Sequence, residues 1–113
     1  MKRILLSGCS GQMGAAVTRI VSSRDDCEIV AGIDLRANPA LDYPIFASFS
    51  ECDVECDVII DFSPPSSLDN LLDYAVKNRV PSIICTTGYT DEQVEKIKNA
   101  SKSIPVFYSG NMS

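Results

Sequence analysis

The chain has 113 residues, of which 45% are hydrophobic and 22% are charged, so it can form one domain with a substantial core. It contains no histidine, which excludes histidine metal sites, Ser-His or Cys-His nucleophile pairs and imidazole proton transfer within this chain. The net charge is -5 and the basic residues are scattered along the sequence. We therefore expect no nucleic-acid partner and no anionic membrane partner.

Apolar runs and cysteine usage both predict a cytoplasmic protein. The first apolar run, residues 4–6, is too brief for a signal peptide or a membrane span. The five cysteines form no CxxC pair, which favours reduced thiols over a disulfide framework. Cys52 and Cys56 lack two further ligands for a metal ion, and we predict no metal site.

The first half of the chain predicts a strand, a glycine-rich turn, a helix and a second strand. Residues 2–7 are a short apolar strand, and residues 8–14 contain three glycines. A second strand is predicted at 27–33, where β-branched residues follow a turn. From residue 36 to residue 57 the pattern weakens to a loop with one short strand near Ile45. The intervening helix is predicted from the spacing of Met13, Ala16, Val17, Ile20 and Val21.

In the second half, helices alternate with short apolar strands. One helix is predicted to begin at Pro65 and end at Asn78, and another follows Thr90, which forms a capping box with Gln93. Strands are predicted at residues 58–61, 82–85 and 104–108. This alternation predicts an α/β fold, a Rossmann-like doubly wound parallel sheet with helices on both faces.

Residues 8–14, GCSGQMG, place a GxxGxxG motif between a predicted strand and a predicted helix. Gly8 and Gly11 carry no Cβ where a phosphate must approach the backbone, and Gly14 lets the helix pack closely. The helix N-terminus adds free N–H groups and a favourable dipole. A tight turn that binds nothing is the alternative. The motif predicts cofactor contacts from Gly8, Cys9, Ser10, Gly11, Gln12 and Met13.

Asp34 follows the second predicted strand, twenty positions after Gly14, the spacing at which an acid accepts the ribose hydroxyls of NAD. A solvated loop acid is the alternative. Arg36 lies where a guanidinium can hold the 2'-phosphate of NADP, which Asp34 would repel, although an exposed arginine without a partner is equally compatible. We predict NAD(P)H as cofactor, with NADH accepted at least as well as NADPH.

Three further segments follow predicted strands, at the edge where open α/β sheets bind ligands. Phe62 can pack near the cofactor, while Asp61 beside it is equally compatible with capping a turn. Threonines ahead of a helix are often only turn and cap residues. The remaining candidate cofactor contacts are Cys85, Thr86, Thr87, Ser109, Gly110, Asn111 and Met112.

Together these motifs resemble the 4-hydroxy-tetrahydrodipicolinate reductase (dihydrodipicolinate reductase) family over the whole chain. The resemblance rests on GQMG at 11–14, DFS at 61–63 with Pro65, TTGY at 86–89 and NMS at 111–113. Ser10 and Cys85 stand where many members have glycine. The resemblance implies that residues 8–13 bind the pyrophosphate, Asp34 the adenosine ribose, and residues 85–87 and 109–112 the nicotinamide.

The resemblance also implies hydride transfer from NAD(P)H to the cyclic dihydrodipicolinate precursor, which yields tetrahydrodipicolinate in the diaminopimelate route to lysine. We expect residues 1–113 to be the dinucleotide-binding domain, without catalytic residues of its own and inactive alone. A substrate domain with paired histidines and a catalytic lysine would begin just after Ser113. The full-length protein is then expected to take a small-molecule substrate and to form a homo-oligomer, a tetramer.

Three alternatives remain open. One is a nucleotide-sensing or CoA-binding Rossmann module without hydride chemistry. Another is a different two-domain dehydrogenase, such as a homoserine or aspartate-semialdehyde enzyme, which the segment Thr86-Thr87-Gly88 followed by Asn111 disfavours. The third is a Rossmann-like domain that binds no nucleotide.

Overall fold

The computed structural model describes residues 1–36 and 40–108 of the chain. Its strands and helices alternate in the predicted order. Two 3-10 turns, Phe49–Glu51 and Pro65–Ser67, precede the fourth strand and the second helix. In chain order the regular elements are β1 (Lys2–Ser7), α1 (Gln12–Ser22), β2 (Cys27–Ile33), β3 (Ile45–Phe46), β4 (Val58–Asp61), α2 (Leu68–Asn78), β5 (Ser82–Ile84), α3 (Asp91–Ala100) and β6 (Val106–Tyr108).

The strands form a six-stranded sheet in the order β3-β2-β1-β4-β5-β6, and every neighbouring pair is parallel. The chain builds outward from β1 to β3 and then crosses to the other side of β1, so the strand order reverses between β1 and β4. Ligands of open α/β sheets bind beyond the carboxyl ends of the strands at such a reversal. Ser7 and Asp61, the last residues of β1 and β4, are register partners there.

Helices cover both faces of this sheet. On one face, Leu71 of α2 and Ile97 of α3 join the main core with side chains from the strands, including Ala31. Gly32, the next residue in β2, faces the opposite side and packs against Tyr43, whose hydroxyl lies 2.9 Å from Thr18 Oγ1 of α1. The predicted Rossmann-like doubly wound fold is confirmed.

The start of α3 follows the capping chemistry in the sequence, whereas the start of α2 does not. The predicted capping box at α3 is confirmed, because Gln93 N donates to Thr90 Oγ1 at 3.2 Å and Thr90 N donates to Gln93 Oε1 at 2.9 Å. The helix predicted to begin at Pro65 opens instead as a 3-10 turn, and α2 starts at Leu68. Within the described residues, no helix is long and apolar enough to cross a membrane.

Two strands are shorter than predicted. β5 ends at Ile84 instead of residue 85, and the last strand begins at Val106 instead of residue 104. Pro105 has no N–H to donate to a sheet ladder, so the strand begins only after it. The predicted strand near Ile45 is confirmed as the two-residue β3, which lies at the edge of the sheet.

Candidate functional site

The loop between β1 and α1 depends on close backbone packing at two of its glycines. Gly8 has φ 79°, in the left-handed region that favours glycine, and its N–H donates to Ile33 O at 2.7 Å. A Cβ at Gly8 would lie 2.8 Å from the carbonyl carbon of Phe62, and a Cβ at Gly14 would lie 2.5 Å from Gly8 O. Gly14 therefore lets α1 approach the loop, and Gly8 lets the loop approach the end of β4.

The first turn of α1 is open to an anion. Its N-cap residue, Gly11, provides no side-chain hydrogen bond, and the first turn contains no acidic residue. The first N–H groups of a helix have no intrahelical partner and carry the positive end of the helix dipole. The nearest atom to a Cβ at Gly11 is Gly8 O at 3.7 Å, so there is room beside this turn. Gln12 and Met13 lie exposed next to it.

Asp34 links this loop to the end of β2. Its Oδ2 accepts the N–H of Ser10 and its Oδ1 accepts the N–H of Arg36, both at 3.0 Å. Ser10 Oγ in turn donates to Arg36 O at 3.2 Å. A carboxylate oxygen has two lone pairs, so each Asp34 oxygen can also accept a ribose hydroxyl. The carboxylate thus stabilises the loop and faces the flank of the anion site.

The Arg36 side chain is available for a ligand. It is 74% exposed, and its Nε lies 3.9 Å from Asp34 Oδ1. Because the guanidinium is exposed to solvent and its Nε lies 3.9 Å from the carboxylate, the pair contributes at most about 1 kcal/mol, and the guanidinium can move to a phosphate at little cost. Leu35 between the two charged residues is 89% exposed and provides an apolar surface beside Asp34.

The ends of β4 and β5 meet beside the glycine loop. Phe62 N donates to Ser7 O at 2.9 Å, which places the half-buried Phe62 side chain at the strand-order reversal. The Thr86 hydroxyl donates to Ser63 O at 2.5 Å and is thus occupied within the protein. Thr87 is exposed, so its side chain is the free one of the two threonines at this edge.

The two predicted cysteine contacts differ in accessibility. Cys9 is only 1% exposed, and burial raises the pKa of its thiol. Any contact from Cys9 to a ligand must therefore come from its backbone. Cys85 is half-buried, and its N–H donates to Asp61 O at 2.9 Å. The predicted contacts Ser109, Gly110, Asn111 and Met112 lie outside the described residues, and their roles stay predictions.

The sequence analysis largely missed a cluster of four polar residues beneath the glycine loop. We call Ser7, Asp61, Ser63 and Tyr89 the Asp61 cluster. Asp61 is 1% exposed, and its Oδ1 accepts both Ser63 N, at 3.1 Å, and Ser63 Oγ, at 2.5 Å. Burial raises the pKa of Asp61, while the hydrogen bonds from Ser63 act in the opposite direction. Asp61 therefore caps the turn at Ser63, which is the role the sequence left open for it, although its carboxyl is buried.

Two hydroxyls of the Asp61 cluster have no hydrogen-bond partner among the described residues. They are Ser7 Oγ and the Tyr89 hydroxyl, and both are buried. Both lie close enough to Asp61 to favour its ionised form. The sequence contains one signal for this cluster. Ser7 is a polar residue at the end of an apolar strand, directly after residues 4–6.

Sequence relatives agree on one family. A family model described as "Dihydrodipicolinate reductase, N-terminus" matches residues 2–112. The 4-hydroxy-tetrahydrodipicolinate reductases of Clostridium novyi (strain NT) and Clostridium tetani (strain Massachusetts / E88) are 50% and 46% identical to this chain over 113 residues. Both alignments cover 100% of this chain but only 45% and 44% of the relatives, so the chain spans less than half of their length.

Solved structures share the fold at lower identity. Dipicolinate-bound dihydrodipicolinate reductase from Paenisporosarcina sp. TG-14 matches with a TM-score of 0.76 and 24% identity, over 89% of this chain and 43% of that chain. A myo-inositol 2-dehydrogenase from Lactobacillus plantarum matches with a TM-score of 0.78 and 16% identity, over 96% of this chain and 36% of that chain. The uncapped start of α1 and the position of Asp34 fit a nicotinamide dinucleotide, the cofactor class of such domains.

Proposed function

This chain belongs to the dihydrodipicolinate reductase family, and from that premise we propose that it is the NAD(P)H-binding domain of a 4-hydroxy-tetrahydrodipicolinate reductase. The observation that carries the proposal is the open first turn of α1, which has no side-chain cap and no acidic residue and which has Asp34 on its flank. A side chain at the N-cap would compete with a phosphate for these N–H groups.

In the proposed complex, backbone N–H groups and a few side chains of this chain hold the cofactor. Residues 8–13 bind the pyrophosphate through N–H groups and the helix dipole, and Asp34 accepts the adenosine ribose hydroxyls. Phe62 and residues 85–87 lie at the nicotinamide end, and residues 109–112 complete that end. The half-buried Phe62 and the exposed Thr87 support this orientation, because Phe62 follows β4 at the reversal and Thr87 follows β5, the next strand of the sheet.

The bound reduced nicotinamide supplies the hydride that converts the cyclic dihydrodipicolinate precursor to tetrahydrodipicolinate in the diaminopimelate route to lysine. This chain binds and orients that cofactor, and it provides no catalytic residue. Two observations support this division between cofactor binding and catalysis. Residues 1–113 contain no histidine, and the chain covers only 45% of the Clostridium novyi relative. Substrate contacts and the proton donor then lie in the part of the relatives that this chain does not match.

We further propose that NADH is bound at least as well as NADPH. If Asp34 accepts the adenosine ribose hydroxyls as proposed, its carboxylate repels a 2'-phosphate on that ribose. The 74% exposed Arg36 side chain is free to offset part of this repulsion. Binding of both cofactors with some preference for NADH follows from these opposed charges.

The remaining features of the proposal concern partners and location. The net charge of -5 supports the absence of nucleic-acid and anionic-membrane partners. The short apolar runs and the free cysteines support a cytoplasmic protein. The full-length protein takes a small-molecule substrate and assembles as a homo-oligomer, a tetramer.

Isothermal titration of the chain with NADH, NADPH and coenzyme A tests the function. We expect saturable binding of NADH and of NADPH, and much weaker binding of coenzyme A. Absence of binding by both nicotinamide cofactors at millimolar concentration would refute the proposal. Tight binding of coenzyme A alone would favour a nucleotide-binding module without hydride chemistry.

A further inference from the structure

The Asp61 cluster lies directly beneath the glycine loop. A Cβ at Gly8 would be 2.9 Å from Ser63 N and 2.8 Å from the carbonyl carbon of Phe62, so the loop backbone touches the Phe62–Ser63 peptide. Ser63 N is the same group that donates to Asp61 Oδ1 at 3.1 Å. A shift of the Asp61 carboxyl would therefore be transmitted to the first residue of the loop through a single peptide group.

The other side of Ser63 is connected to the segment after β5. Ser63 O accepts the Thr86 hydroxyl, and Asp61 O accepts the N–H of Cys85 at 2.9 Å. Thr86 lies on the proposed nicotinamide side of the site. Residue 63 is thus held from three directions: by the carboxyl of Asp61, by contact with Gly8, and by the hydroxyl of Thr86.

A buried carboxyl is a costly way to cap a turn. An exposed aspartate would form the same bond to Ser63 N without the desolvation cost of a side chain that is 1% exposed. Ser7 Oγ and the Tyr89 hydroxyl form no hydrogen bond of normal geometry among the described residues. They lie close enough to Asp61 to favour its ionised form, and so they offset only part of the cost. An arrangement that costs stability at the edge of a binding site indicates a role in the geometry of that site.

We propose that Asp61 is a positioning residue, which fixes Ser63 between the glycine loop and Thr86 and thereby sets the nicotinamide end of the cofactor site. The inference rests on the proposed function, because it concerns the same cofactor. Asp61 itself does not touch the cofactor in this arrangement. Its side chain acts through its two hydrogen bonds to Ser63, and loss of those bonds lets the Phe62–Ser63 peptide and Thr86 move apart.

The test compares Ser63→Ala, Asp61→Ala and Asp61→Asn in the full chain, with NADH and AMP as ligands. AMP reports the adenosine end at Asp34, whereas NADH also reports the nicotinamide end. Asp61→Ala removes both hydrogen bonds to Ser63 and should weaken NADH binding about tenfold. Ser63→Ala removes only the Oγ bond, because the N–H of residue 63 still donates to Asp61, and should weaken NADH binding about threefold. AMP binding should change less than about twofold in both variants. Asp61→Asn keeps an acceptor for Ser63 and should retain most of the NADH affinity.

Ser82→Ala is the matched control, because Ser82 is also a buried serine but lies at the amino end of β5, away from the site. It should leave both affinities unchanged. Equal losses of NADH and AMP affinity, or unchanged NADH affinity in a folded Asp61→Ala variant, would overturn the positioning role. If Asp61→Ala does not fold, Ser63→Ala still tests the role, because a loss confined to NADH supports it and equal losses of NADH and AMP affinity contradict it. Absence of NADH binding by the unaltered chain would instead refute the proposed function.

Discussion

At the scale of single residues, Gly11 is where cofactor binding can be blocked with little disturbance of the fold. A Cβ here meets only Gly8 O, at 3.7 Å, so Gly11→Val places its branched side chain in the open space beside the first turn of α1. The loss of close phosphate contact should weaken NADH binding by about tenfold or more. Fluorescence titration with NADH measures this, and thermal unfolding checks that the chain remains folded. Retained affinity in a folded variant would contradict our placement of the pyrophosphate.

Asp34 has two roles that substitution can separate. Its carboxylate holds Ser10 N at 3.0 Å, and we propose that it also accepts ribose hydroxyls and repels a 2'-phosphate. Asp34→Ala should therefore weaken NADH binding by about tenfold and NADPH binding by less, as measured by parallel calorimetric titrations. Asp34→Asn is the control that keeps an acceptor for Ser10 N. If both cofactors lose affinity equally, the role of Asp34 is structural.

The residues that the sequence analysis missed are those whose role depends on burial. Gly14 and Asp34 stand at recognisable spacings, and both contact the loop between β1 and α1. The sequence shows that Ser7 follows apolar residues, but not that its side chain faces Asp61 across two parallel strands. Tyr89 was identified only as part of a motif, because its contact with the cluster depends on how the segment after β5 folds back. The register of parallel strands and the conformation of a loop depend on tertiary packing, so a local sequence pattern does not predict them.

At the scale of secondary-structure elements, strong local signals predicted boundaries well and weak ones did not. The end of α2 at Asn78 is correct, and Arg79 after it has φ 56°, a left-handed residue that terminates the helix. The turn at Phe49–Glu51 was missed because three residues are too few to show helical periodicity. Phe49 is nevertheless 3% exposed, so an element without a local signal supplies a core side chain.

The start of β1 is tied to the start of β4 by an ion pair whose effect on stability depends on pH. Asp57 accepts Arg3 N at 2.8 Å and Arg3 Nη2 at 3.1 Å, and these bonds lower the pKa of Asp57 from 3.8 to about 2. The folded carboxylate thus binds protons less readily than the unfolded one. Its contribution to stability is present above the unfolded pKa and is lost as the pH falls through about 2.

Asp57→Asn should therefore lower the thermal unfolding midpoint at pH values well above 3.8, and the difference from the unaltered chain should shrink toward pH 2. Asp26→Asn is the matched control, because Arg24 also lowers the pKa of Asp26 to about 2 but lies only two residues away. That local pair can persist in the unfolded chain, so its removal should change the midpoint less. A constant difference for Asp57→Asn at all pH values would contradict the assignment.

At the scale of the whole molecule, the pattern of alternating strands and helices was sufficient to predict the fold. Parallel strands need crossover helices, and crossovers are right-handed, so a βαβ pattern leaves few possible arrangements. Which face carries the larger core was not predictable, since it depends on which helices pack together. The main core lies on the face of α2 and α3, whereas Ile83 and Phe107, register partners on β5 and β6, are 36% and 67% exposed.

This asymmetry predicts that the same substitution changes the free energy of unfolding by very different amounts at two phenylalanines. Phe49 is 3% exposed and belongs to the main core, so Phe49→Ala should cost about 3 to 5 kcal/mol of unfolding free energy through lost burial and the cavity left behind. Phe107 is 67% exposed, so Phe107→Ala should change that free energy by less than about 0.5 kcal/mol. Urea unfolding followed by circular dichroism measures both. Because a small domain has only about 5 to 15 kcal/mol of stability in total, Phe49→Ala should also leave a measurable unfolded fraction on mild heating. Comparable losses at the two positions would show that the face of Phe107 is as fully packed as the main core, contrary to the structure.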